Sequence, residues 1–220
     1  MSYHPELHIL KAYAAGELNS VDGFAIATHL ESCPDCKANV LKHEQYLGEE
    51  LSSLKGEQDP SFESMFADIV DSEQEIMPMR PFRKPLSVQV HGKTFSLPLS
   101  LSRFENKIGE WRSYGGKVFS ARVDVCDSVK VNLLYIAEGV KIPQHTHKGV
   151  ESTLILHGGF SDEAGHYEAG DYLVKDGSDK HSPYTKDGED CLCLTVLTEP
   201  MMFTQGVARI FNLFGKGMYP

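Results

Sequence analysis

The 220 residues carry 41% apolar and 24% charged side chains and a formal charge of −10, the make-up of a water-soluble chain long enough for one large domain or two small ones. No apolar run approaches the roughly 20 residues of a membrane helix, and the opening Met1-Ser2-Tyr3-His4-Pro5 lacks the basic start and apolar core of a secretion signal, so a cytoplasmic protein with no membrane contact is expected. Residues 1–85 hold 7 Lys and Arg against 15 Asp and Glu, a net −8, whereas 86–220 hold 14 against 16; a phosphate backbone selects clustered cations, so no direct nucleic-acid binding is expected, and the acidic first half suits either a basic protein surface or plain solvation.

The chain up to position 76 reads as helices. Leu7, Leu10, Ala14 and Leu18 recur at three- and four-residue steps, which predicts a helix over 5–18 that weakens at Gly16. A second is expected from Asn19-Ser20 to Cys33, where Pro34 disfavours helical geometry in the residue before it. Pro34 can itself open a third helix, 34–55, with an apolar stripe through Val40, Leu41, Tyr46, Leu47, Leu51 and Leu54. A fourth, 61–71, offers Phe62, Met65, Phe66, Ile69 and Val70, an apolar face that its own domain or a partner must cover.

Five cysteines are an odd number without the spacing of a disulfide framework, so metal ligands or free thiols are expected. Cys33 and Cys36, either side of a turn at a helix start, can reach one tetrahedral ion, and His29 lies one turn earlier on the same side of its helix. The dipole of the third helix is expected to favour both thiolates. His4 or His8 would supply the fourth ligand.

The combination of His4-Pro5, Tyr13-Ala14-Ala15-Gly16, Thr28-His29-Leu30 and Cys33-x2-Cys36 resembles the zinc-binding anti-sigma domain in the form found in ChrR-like anti-sigma factors. The resemblance implies a short helical domain that clamps an extracytoplasmic-function-type sigma factor, one to one, and keeps it from RNA polymerase. It places the zinc ligands on His4, His29, Cys33 and Cys36 and leaves His8 spare.

Residues 77–85 hold three prolines in nine positions and read as a semi-rigid linker between domains 1–76 and 86–220. Beyond it the period turns from helical to alternating, with strands expected over 86–90, 117–125, 129–137, 152–156, 171–174 and 191–197 and a hairpin turn at His91-Gly92. Short strands in series with no long helix indicate an all-β barrel or double-sheet jelly roll.

His145, His147 and Glu151, with His181 closing the set, are three imidazoles and a carboxylate that suit a divalent metal inside such a barrel; His145 and His147, at i and i+2, share one strand face. Gly139-x5-His145-x-His147-x3-Glu151-x6-Gly158 is similar in full to the first cupin motif. Of the second motif Gly170 and His181 are kept, while the family's Pro, Gly and Asn positions carry Asp176, Ser178 and Thr185. His157 and His166 are expected at the surface. Cys191 and Cys193 share one strand face and read as small core residues or as an oxidation sensor.

The whole chain therefore resembles ChrR-like anti-sigma factors: a small zinc-containing helical bundle followed by a cupin β-barrel. The resemblance implies zinc in the first domain and a second divalent metal in the cupin, zinc in the family, though the donor set would also take iron, manganese or nickel. It further implies release of the sigma factor when the cupin senses singlet-oxygen-like oxidative stress. The alternative is a metal-dependent cupin dioxygenase carrying an accessory zinc domain.

Overall fold

The computed structural model describes residues 2–54, 56, 61–73, 84–126, 129–206, 208–209 and 212. Most of the proline-rich stretch 77–85 and most of the segment 207–220 lie outside the described residues.

Four helices open the chain: α1 (Leu7–Ala14), α2 (Ser20–Leu30), α3 (Pro34–Ser53) and α4 (Ser61–Asp71). The first is shorter than the 5–18 expected, because Glu6 is extended as its cap and Gly16 takes the left-handed conformation, φ +72°, just past its end. The Asn19 side chain caps α2 by accepting from the Val21 and Asp22 N–H groups. That helix stops at Leu30, short of Cys33, which is extended as the cap of α3 ahead of Pro34 at the first helical position. Only Cys36 and Val40 of α3 are buried, and α4 is exposed throughout. Leu41, Tyr46, Leu51 and Leu54 of the expected stripe stay in solvent.

Eleven strands follow among the described residues: β1 (Ser87–Val90), β2 (Lys93–Ser96), β3 (Arg112–Tyr114), β4 (Val118–Val123), β5 (Lys130–Ile136), β6 (His145–His147), β7 (Glu151–Asp162), β8 (Gly165–Glu168), β9 (Tyr172–Lys175), β10 (Cys191–Leu197) and β11 (Met201–Phe203), with a 3₁₀ segment at Leu99–Lys107. β1 and β2 form the hairpin expected at His91-Gly92, whose φ angles of +50° and +75° suit a two-residue turn.

The main layer runs β3-β4-β5-β10-β7, with β9 on the other side of the near half of β7. A facing layer is made by β11 and β6, by the bridged segment 181–184, and by the far half of β7 with β8. One strand thus serves both layers of the jelly roll. β7 runs past 156, where the alternation ends, and bends at Gly158, φ +64°; a Cβ there would run into the Asp190 carbonyl, so only glycine fits. The sequence pattern missed β3, β8 and β11, each three or four residues long.

β10 is buried on both faces. Cys191 and Cys193 point to the inner core with Ile136, Ile155 and Phe160, while Leu192, Leu194 and Val196 point outward. The outward set shares one apolar cluster with Leu10, Val21, Ala25 and Ile26, in which α2 packs on β10 and α1 packs on α2 and α3. Removing either surface from water contributes about 25 cal/mol per Å², and the two regions share that gain. Glu31 adds a polar clamp by accepting from the Leu99 and Ser100 N–H groups at 2.6 and 2.7 Å.

Candidate metal centres

Four donors converge near the N-terminus. One ligand atom each from His4, His29, Cys33 and Cys36 lies within 4.8 Å of every other. Cys33 and Cys36 meet because Pro34 starts α3 between them, with Cys33 Sγ accepting the Cys36 N–H at 3.4 Å. The extended segment ahead of α1 brings His4 Nδ1 to 3.4 Å from Cys33 Sγ and 3.5 Å from Cys36 Sγ.

His29 is fully buried and its Nδ1 pairs with the Gly170 carbonyl at 3.0 Å. That bond leaves Nε2 as the ligating atom, and Nε2 is buried with no hydrogen-bond partner. A buried imidazole nitrogen left unpaired is costly, and a cation among two sulfurs and two imidazoles would satisfy it. Burial, and then the Cys33 sulfur, push the Cys36 thiol up to about 12. A cation at this site would draw the proton off Cys36, since a coordinated sulfur is a thiolate. His8 stands outside this group, exposed, with Nδ1 3.1 Å from Glu6.

The second cluster is buried on every side. His145, His147, Glu151 and His181 place one ligand atom each within 4.8 Å of the others. β6 presents His145 and His147 on its inner face, the start of β7 supplies Glu151, and His181 sits in the bridge opposite His145. His147 Nε2 lies 3.1 Å from Glu151 and 3.3 Å from His181 Nε2.

Two of these rings are oriented from behind. His145 Nδ1 donates to the Pro143 carbonyl at 2.9 Å and His181 Nδ1 pairs with Asp162 Oδ2 at 3.2 Å, so each turns Nε2 inward. Burial, reinforced by His181, lowers His145 to about 3 and His147 to about 4, which keeps their lone pairs free at neutral pH. Burial raises Glu151 to about 7, so its carboxylate needs a compensating positive charge. Neutral imidazoles around an uncompensated carboxylate fit a divalent cation.

A cavity of about 750 Å³ opens onto this centre. His145, Glu151 and His181 are in its wall with Ile136, Phe160 and Cys193. Cys191 and Cys193 lie on the same strand side, as the alternation predicted, and the Cys191 contact together with burial pushes the Cys193 thiol well up. Of the other histidines, His157 and His166 carry partly exposed side chains near Asp190 and Glu189, as expected of surface residues.

The second cupin motif is rebuilt with different chemistry. Asp176 Oδ1 accepts from the Ser178 N–H and hydroxyl, and Asp179 Oδ2 accepts from the Asp176 N–H, so acid-capped turns stand where the family has Pro and Gly. The Thr185 hydroxyl donates to the Ala137 carbonyl at 2.6 Å and accepts from the Val140 N–H at 3.0 Å. Sequence reasoning missed Asp162, which is buried behind His181; against the cost of burial, bonds from His181, Ala164 and Tyr167 hold its carboxyl well below the usual range. A carboxylate opposite a ligating imidazole is the signal, but the two stand on separate elements with β8 and β9 between them in the chain.

Residues 110–200 match the family model of the ChrR cupin-like domain. The anti-sigma-E factor ChrR of Cereibacter sphaeroides is 29% identical over 218 residues, spanning 96% of this chain and 97% of the relative. The chain is ChrR-like. Its fold is that of ChrR in the crystal structure of Rhodobacter sphaeroides SigE in complex with the anti-sigma ChrR, at a TM-score of 0.66 and 29% identity over 89% of this chain and 98% of that one. The likeness spans most of this ChrR-like chain and therefore concerns the helices as well as the barrel. No helix among the described residues is long and apolar enough to cross a membrane.

Proposed function

We propose that this chain is a cytoplasmic anti-sigma factor that sequesters an extracytoplasmic-function-type sigma factor, one to one, through an N-terminal helical zinc domain, residues 1–76. A linker, 77–85, leads to the cupin domain, 86–220, which releases the sigma factor under singlet-oxygen-like oxidative stress. The observation that carries this reading is the likeness to ChrR along nearly the full length of both chains, including ChrR as crystallised in complex with SigE.

The exposed apolar side chains of α4 support the reading, since Phe62, Met65, Phe66, Ile69 and Val70 are each more than half exposed. A surface of that kind on an acidic segment suits a partner that is apolar in its groove and basic at its rim. His4, His29, Cys33 and Cys36 are the zinc ligands, a two-sulfur, two-nitrogen set suited to a structural ion. His145, His147, Glu151 and His181 hold the second divalent metal, zinc in this reading. Cys193, in the cavity wall, is the thiol an entering oxidant would meet, with Cys191 beside it on the same strand side as the second thiol of the sensor.

Co-expression with an extracytoplasmic-function sigma factor encoded beside this gene should yield a stable one-to-one complex. Failure to copurify with any such neighbour would sink the proposal.

A further inference from the structure

The two metal clusters belong to different parts of the chain, yet one hairpin touches both. On the cupin side, Asp162 Oδ2 is 3.2 Å from His181 Nδ1, and Oδ1 of the same carboxylate accepts the Tyr167 hydroxyl at 2.9 Å and the Ala164 N–H at 2.8 Å. Tyr167 lies on β8, and its ring meets Tyr3 edge-on with centroids 4.8 Å apart. Tyr3 immediately precedes His4, whose Nδ1 is in contact with both cysteines.

Tyr3 is held to the turn between β8 and β9 by its backbone. Its carbonyl accepts the Tyr172 N–H at 3.0 Å, and the Ser2 and Tyr3 N–H groups donate to Asp171 Oδ1 at 2.6 and 3.0 Å. Asp171 is buried, and its other oxygen accepts the Glu168 N–H at 2.9 Å. The next residue back, Gly170, receives His29 Nδ1 on its carbonyl and takes φ +95°, a conformation that favours glycine. The fit is close: a Cβ on Gly165 of β8 would come within 2.8 Å of the Tyr3 hydroxyl.

We infer that this hairpin couples the two metal centres, with Asp162 and Tyr167 as positioning residues for His181 and with Tyr3 and Gly170 aiming His4 and His29. Outer partners of a ligating histidine set its orientation, and their loss typically costs about 10- to 100-fold in metal affinity. Here one connected set of bonds orients ligands of both centres. A shift of His181 therefore moves Asp162, Tyr167 and the Tyr3–His4 segment together. Because coupling between binding sites is reciprocal, vacating one cluster must change the metal affinity of the other by the same factor. The anti-sigma reading supplies the consequence, a route from the cupin to the sigma-binding domain, but the coupling is a property of this chain alone.

The test is a cycle on the full chain, with no sigma factor present. Zinc affinity of the cupin centre is measured by competition with a chromophoric chelator in four proteins: wild type, Cys33→Ser/Cys36→Ser, Tyr167→Phe, and the triple variant. Loss of the N-terminal cluster is expected to change cupin affinity about fivefold or more, and Tyr167→Phe, which keeps the ring but drops the hydroxyl, should abolish most of that change. Equal cupin affinity with and without the N-terminal cysteines overturns the inference, as does an undiminished change in the Tyr167→Phe background. Should Tyr167→Phe fail to fold by thermal melting, Tyr3→Leu replaces it, because it removes the ring contact and keeps the backbone bonds. Both outcomes are independent of copurification with a sigma factor.

Discussion

The two clusters each gather four donors within 4.8 Å, but they are built in opposite ways. The N-terminal one comes from the short stretch between His4 and Cys36, contains two sulfurs, and leaves His4 exposed. The cupin one is wholly buried, contains no sulfur, and needs two strands and a bridged segment to assemble. A cluster drawn from a short stretch can order that stretch as it takes up a metal; one made by the barrel depends on a fold that has already formed. The first suits a structural role beneath a docking surface, and the second, at the end of a cavity, suits a responsive one.

Emptying each centre in turn puts the most strain on this contrast. Cys33→Ser/Cys36→Ser is expected to halve the metal content of the chain and to abolish copurification with the sigma factor, because structural zinc supplies on the order of 10 kcal/mol to folding. His145→Ala or Glu151→Ala should also remove one metal but leave sigma binding intact while blocking release under an oxidant. If the cupin variants lost sigma binding outright, the division of labour between the clusters would be wrong.

Between these lies the proposed docking surface. Phe66 is 69% exposed on α4, far from either cluster in sequence, so Phe66→Asp should weaken the sigma complex about 30-fold, the cost of losing a hot-spot aromatic. Metal content should be unchanged. Binding that stays within about twofold, read by titration calorimetry, would move the interface elsewhere.

The smallest effect concerns the barrel's own polar anchor. Asp190 accepts from Lys93 at 2.7 Å and from Tyr135 at 2.8 Å, and against the cost of burial these bonds hold its carboxyl below the ordinary value. A lowered carboxyl contributes stability that is fully present above the unfolded value of about 3.9 and is lost as pH falls through the folded one. Wild type should therefore melt above Asp190→Asn near neutral pH, with the gap closing below about pH 4. A gap that persists unchanged in acid would assign the stabilisation to packing.

The parts of the molecule legible in the sequence followed from local rules. The four helices, the His91-Gly92 turn and the pairs Cys33/Cys36 and His145/His147 could be read because periodicity, proline placement and ligand spacing are written within short windows, whereas the choice of His4 over His8 rested on the resemblance to the anti-sigma domain. The boundaries moved by a few residues where a cap decided them, as at Glu6 and Cys33. The short strands β3, β8 and β11 were not legible, since three or four residues carry too little alternation to register.

Local sequence thus dictated which side chains could bind metal and in which order the helical and β regions come. Packing in three dimensions decided the rest: α2 lies on the outer face of β10 in one apolar cluster with α1 behind it, so the two regions share a core despite the proline-rich stretch between them. Packing also placed Asp162 behind His181, and Tyr3, at the very start of the chain, against Tyr167 of β8. Such contacts leave no periodic trace, because they arise from how finished elements pack, and they are the ones that join the two centres.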